Sequence, residues 1–210
     1  MNESKFMNAN LSVGEWLSHF FLLQFLPILN TLKGFILLGF FPAIASTFNI
    51  FYQWIQFKKF DLTIPKEFNF FYKKYFWQAN QLGWGLTFIG AILLFDLYVS
   101  SQFIQSLVLH SVLLILFFIF LVVSSYAFIV FVRYDLKKIG MYYRQAFFIG
   151  FTSIFQSIAI LLTIVLLYML FQYVPFIALF FGLPLLIGGI SWFAIQGVQR
   201  AEKMRKAVND

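Results

Sequence analysis

"GFFPAIASTFNIFYQWIQFKK", residues 39–59, runs from Gly39 to Gln56 without a formal charge, yet a proline and a row of amides and hydroxyls interrupt it. Three readings compete: a membrane crossing, a signal-peptide cleavage site and a helix lying on a surface. The choice decides how the rest of the chain threads.

Composition narrows the class first. Of 210 residues, 61% are apolar, 22% aromatic and only 11% charged, where a soluble domain carries roughly 25% charged residues. A membrane protein is implied. Cysteine is absent, which excludes disulfides, thiolate metal sites and cysteine nucleophiles. Five stretches approach the roughly 20 apolar residues that a helix needs to cross the hydrocarbon: 16–40, 82–100, 106–132, 146–171 and 174–196. The links at 101–105 and 172–173 allow only tight hairpins, so spans two and three pair, and so do spans four and five.

Lys and Arg in short loops are retained on the cytoplasmic side. Thirteen of the fifteen basic residues fall within 58–74, 133–144 and 200–206, while the hairpin links "SQFIQ" and "QY" carry none. This asymmetry predicts an outside N-terminus, to which Glu3 and Lys5 are the nearest charges, and a cytoplasmic C-terminus. The net charge of +7 is then topological bias with added attraction to an anionic inner leaflet. Nucleic-acid binding is not expected, because the cations flank spans instead of forming one stripe.

The opening stretch can now be placed. "AIA" at 43–45 resembles a cleavage site, but the basic n-region is missing and Lys33 sits inside the preceding run. A continuous helix over 16–57 would be about 60 Å long, twice the hydrocarbon thickness, so the chain must bend. Gly39 and Pro42 supply a stop, since proline is tolerated best in a helix's first turn. From there Ser46, Asn49, Gln53 and Gln56 form a polar stripe opposite Ile44, Phe48, Phe51, Tyr52 and Ile55. The spacing predicts an amphipathic helix at the cytoplasmic interface or against a partner, with Trp54 at headgroup level and Lys58 and Lys59 closing it. The alternative is a hairpin turning at "NTLKG" (30–34), which gives six spans and puts Lys33 outside. "DLTIPKEFNFFYKKYFWQANQ" (61–81) predicts a second amphipathic helix: Thr63 is a candidate N-cap, Pro65 lies near the first turn, and Phe68, Phe71, Tyr72, Tyr75 and Phe76 share a face. Aromatics opposite lysines read as membrane-surface.

Gly34, then "LGFFPA" with Gly39, Pro42 and Ala43, an aromatic helix ending in a basic turn, and "FYKKYFWQAN" entering the next span together resemble the YesL family of bacterial multi-pass membrane proteins. The likeness covers roughly residues 20–95. Gln24 and Pro27 stand where the family pattern has an Asn and a Trp. The resemblance implies a bacterial cell-membrane protein associated with ABC importers for oligosaccharides, with permease subunits as partners and no established activity.

Candidate chemistry is sparse. His19 and His110 lie in different spans, and adjacency of His110 to Ser111 does not pair them, since helix neighbours point about 100° apart. Asp96 is the one carboxylate within a span; with Lys33 and Gln156 it forms the intramembrane polar set that an autonomous transporter or channel would use. In the fourth span Gly150, Ser153, Gln156 and Ser157 share one side, which reads as a helix-packing face. Gly182, Pro184, Gly188 and Gly189 read as close packing of the fifth. A basic aromatic lead-in precedes a two-span hairpin twice, about 70 residues apart.

The expectation is an all-α integral membrane helical bundle: five transmembrane helices, with two amphipathic helices at the cytoplasmic face. It forms a single domain over 1–210, divided into a first span with interfacial helices (16–80), hairpins at 82–132 and 146–196, and a basic tail (197–210). The expected role is a non-catalytic accessory subunit docking on a carbohydrate importer, without a cofactor or metal. Its interface residues are expected at Gly34, Gly39, Pro42, Ser46, Asn49, Gln53, Trp54, Ser153 and Ser157.

Overall fold

The computed structural model describes residues 3–59 and 63–209, so the start of the second amphipathic stretch, Asp61 and Leu62, lies outside the described residues, as do the side chains of Glu3 and Lys5. Eight α-helices follow one another: α1 (Glu3–Lys33), α2 (Phe40–Phe57), α3 (Ile64–Lys74), α4 (Phe76–Val99), α5 (Leu107–Arg133), α6 (Ile139–Thr152), α7 (Ile154–Tyr173) and α8 (Pro175–Asn209). A π-helical turn, Ser100–Ile104, closes α4. Among the described residues there is no strand. Among the described residues four helices, α4, α5, α7 and α8, are long and apolar enough to cross a membrane.

The first break comes earlier than Gly39. Helix α1 ends at Lys33 and the chain turns through Gly34–Gly39, with Phe35 and Ile36 in the left-handed region at φ 58° and 57°. Close packing fixes the turn: a Cβ on Gly39 would lie 2.5 Å from the Thr31 carbonyl oxygen and 2.9 Å from that of Asn30. Pro42 does sit in the first turn of α2, where its missing N–H leaves no intrahelical bond unmade. Helices α1 and α2 are antiparallel, Trp16 meeting Trp54 and Phe20 meeting Phe51.

The expectation that α2 lies on a surface is corrected. It is enclosed by α1, α3, α4, α5 and α8, and Pro42, Ser46, Asn49 and Trp54 are all buried. Its hydroxyls find acceptors one turn back: Ser46 Oγ donates to the Pro42 carbonyl at 2.7 Å and Thr47 Oγ1 to that of Ala43 at 2.9 Å. Neutral groups satisfied in this way do not require water. The N-terminal end of α2 meets the start of α4, where Asn80 Nδ2 donates to the Leu38 carbonyl and Gly83 makes room for Phe41. Its other end meets the ends of α5 and α8, through Arg133 to Tyr52 and Gln199 to Gln56.

Helix α3 has the predicted segregation of faces, with Thr63 as N-cap residue, Pro65 in the first turn and Lys66, Lys73 and Lys74 exposed. Its aromatic face closes on protein instead of the membrane surface. Phe68 is fully buried, Phe71 packs on Phe131, and Tyr72 donates to the Asn30 carbonyl. The expected fourth span divides at Ser153: residues 139–152 form α6, and α7 begins at Ile154.

The buried core gathers at one end of the bundle. It joins Ala79, Leu82 and Leu86 of α4, Tyr126–Phe131 of α5 and Ile187–Ala201 of α8 around α2. That is the end carrying Arg133 and Arg200. A Gly39→Ala change forces a methyl group against backbone and should cost about 1–3 kcal/mol, the range for overpacking. The measurement is the unfolding midpoint in detergent. Gly140→Ala, next to open space, should leave that midpoint unchanged or raise it, since alanine favours helix.

Candidate functional site

The helix pairing α1–α2 against α7–α8 leaves a groove of about 630 Å³, lined by Trp16, Phe20, Trp54, Lys58, Pro184 and Trp192, among others. Trp54 forms its wall. The ring is 2% exposed and touches Trp16, His19 and Phe51 at 5.3–5.7 Å between centroids, while its Nε1 has no acceptor. Lys58 stands at the mouth because α2 ends there in a left-handed turn, its N–H bonded to the Trp54 carbonyl. Glycines admit the neighbouring side chains: a Cβ on Gly188 would lie 2.8 Å from the Phe51 ring, and one on Gly189 the same distance from Thr163. The groove can stack and hydrogen-bond an amphipathic molecule. It contains no nucleophile–base pair, and among the described residues no group of three His, Cys, Asp or Glu lies together to hold a metal.

Beside the groove, α1 grips α8. Gln24 Nε2 donates to the Leu179 carbonyl at 3.0 Å, and the Leu183 N–H donates to Gln24 Oε1 at 3.0 Å. One amide therefore bridges a carbonyl and an N–H one turn apart, immediately before Pro184, where the proline ring disrupts the helix ladder. Sequence reasoning registers Gln24 only as a departure from a family pattern. The signal was an amide in an apolar run and a proline in another span.

A second missed cluster ties the basic ends together. Arg133 donates from Nε and Nη2 to the two Glu202 oxygens at 2.8 and 2.6 Å, and from Nη1 to the Tyr52 hydroxyl at 3.1 Å; Tyr134 also donates to Glu202. Burial, reinforced by the bonded Glu202 carboxylate, pushes the Tyr134 hydroxyl up to about 12. Arg133 thus has a bidentate partner beyond its topological role.

The nine residues expected to face a partner divide clearly. Gly39, Pro42, Ser46, Asn49, Trp54, Ser153 and Ser157 are buried inside the chain, so that interface is corrected to intramolecular packing; Gly34 and Gln53 are half-buried. Ser153 Oγ donates to the Gly197 carbonyl at 2.8 Å, and Ser157 Oγ to that of Gly150 at 2.9 Å. The packing face of the fourth span is therefore present, made by its small residues. Gln156 keeps a buried Oε1 without a partner. Lys33 is exposed, Asp96 and Gln156 are half-buried, and the structure does not bring them together: among the described residues α4 packs on neither α1 nor α7.

Removing the shared carboxylate isolates two groups. Glu202→Ala should lower stability by about 1–3 kcal/mol, the range for lost bonds to a charged group, read from thermal unfolding in detergent. Arg133→Lys, which loses the fork geometry, should fall between this variant and the native chain.

The family described as "Protein of unknown function, DUF624" matches residues 20–97, the stretch from mid-α1 to the end of α4. The uncharacterized protein YteU of Bacillus subtilis (strain 168) is 30% identical over 174 residues, covering 82% of this chain and 77% of YteU. The uncharacterized protein YesL of the same organism is 29% identical over 205 residues, covering 91% and 92%. No solved structure matches.

Proposed function

Since the chain belongs to the DUF624 family of YesL and YteU, we propose that it is a bacterial cell-membrane accessory subunit, non-catalytic, that docks on the permease subunits of an oligosaccharide ABC importer. The importer enters by the YesL resemblance alone. Docking has a physical argument. The most apolar eighteen-residue window of α5 contains no buried residue, and that of α7 is only 11% buried. The two hairpins therefore cover little of each other away from the basic end, and an apolar cleft of about 210 Å³ lies open between α5 and α6–α7. With the nominated interface turned inward, these outer helix faces are the surface left for a membrane partner, alongside lipid.

In this reading α2 and α3 stay in the cytoplasmic half and the tail is cytoplasmic. Both ends of α2 touch the basic ends of other helices, which favours a helix passing within that half over a sixth crossing. Lys58, Lys59, Lys66, Lys73 and Lys74, all exposed, would then meet anionic inner-leaflet lipid.

The absence of cysteine makes topology directly testable. Ile36→Cys in the α1–α2 turn should react with an impermeant maleimide only from the cytoplasmic side, and Phe103→Cys only from outside. External labelling of Ile36→Cys would establish the six-span arrangement instead. For docking, a photo-crosslinking residue at Ile115, which is 60% exposed, should capture a neighbouring permease subunit in intact membranes, while one at buried Ala127 should not. Equal yields at both positions, or recovery of monomer alone after gentle extraction, would defeat the accessory role.

A further inference from the structure

We propose that the α4–α5 corner, on helices that do not line the tryptophan groove, binds a phosphate-type oxyanion. The π-turn Ser100–Ile104 ends at Gln105 in the left-handed region (φ 52°), Ser106 caps the next helix, and α5 begins at Leu107. This corner forms an open pocket of about 280 Å³ lined by Ser100, Ser101, Gln105, Ser106, Leu107, His110 and Ser111.

Two independent features point to an acceptor-rich ligand. The first is the N-terminus of a 27-residue helix, where free amides and the positive end of the dipole favour an anion. The Ser106 hydroxyl accepts from the Leu109 N–H at 3.4 Å and the His110 N–H is bonded to the Ser106 carbonyl. Leu107 and Val108 open the helix, where N–H groups have no intrahelical acceptor. The second feature comes from the preceding helix: Ser100 is 1% exposed, lines the pocket, and its Oγ has no partner. His110 Nδ1 is likewise buried without one. A buried hydroxyl left unbonded opposes folding, so an acceptor supplied from outside the chain completes this corner.

The neighbouring groups define the ligand further. Ser101 and Ser111 donate to the Tyr98 and Leu107 carbonyls, so their hydroxyl protons are engaged. Ser100 Oγ, the two amides and His110 in its Nδ1–H form remain as donors, a set suited to a tetrahedral oxyanion. Asp96 lies one turn before Ser100 on α4 and does not line the pocket. A phospholipid headgroup and a free phosphate present the same chemistry here.

The full-length protein, delipidated in detergent, is titrated calorimetrically with inorganic phosphate, and separately with phosphatidylglycerol vesicles against vesicles of a phosphate-free glycolipid. Each titration is repeated with Ser100→Ala and Leu107→Pro. The proline removes one amide at a position where helices accept it, following Ser106 at a compatible φ −85°, ψ 114°. Binding to either phosphate source should weaken at least tenfold in both variants, with the Ser100→Ala unfolding midpoint unchanged or raised. Saturable binding of free phosphate assigns a soluble anion, and binding to phosphatidylglycerol vesicles alone assigns a headgroup. Absence of saturable binding to both, or equal binding by native protein and variants, overturns the proposal. Neither result bears on permease docking, which is read by crosslinking at Ile115.

Discussion

A helix can be surrounded by protein on every side only if its polar groups need nothing from water. Helix α2 comes close to that condition, the buried Trp54 Nε1 being the exception. It has no formal charge, and Ser46 and Thr47 bond to carbonyls of their own helix. Gln56 accepts from Gln199. Five other helices can therefore press on it, and the buried core of the bundle is largely the set of residues that do so. Phe48 stacks on Phe128, Phe41 fits over Gly83, and Phe51 fits over Gly188. Replacing one of these amides or hydroxyls by a charge would leave an ion that none of the surrounding helices is built to pair.

Much of the architecture was legible in the sequence because hydrophobic run length is nearly sufficient for a membrane helix. Helices α4 and α5 lie close to their expected ranges, α8 starts where expected and runs on through the predicted tail, the Thr63–Pro65 start of α3 is where turn chemistry put it, and Pro42 falls in a first turn. Burial was not legible. A polar stripe at helical spacing looks the same whether its partners are waters or carbonyls one turn back, so α2 read as a surface helix. The break at Ser153 was missed for a related reason: in the sequence Ser153 is one of several small polar residues on the packing face of 146–171, and its bond to the Gly197 carbonyl on α8 has no local signature. Long-range polar pairs such as Arg133 with Glu202 leave no local periodicity to detect.

The element order contains a pattern at the level of backbone. A short helix, one residue outside helical geometry, and a pair of long helices occur as α3–α4–α5 and again as α6–α7–α8, with Tyr75 and Ser153 at the two breaks. Each short helix presents aromatics to the core, Phe68 and Phe71 in one and Tyr142 in the other. In both units the short helix lays an aromatic brace across the basic end, where the buried core gathers.

The grip of Gln24 on α8 spans 155 residues of sequence. During synthesis, α1 leaves the ribosome long before Leu179 and Leu183 exist, so its buried amide has to wait, shielded by water or by the insertion machinery, until the last helix arrives. Maturation of the bundle is thereby tied to synthesis of α8: a nascent chain halted after α7 holds an unsatisfied group that quality-control proteases can recognise.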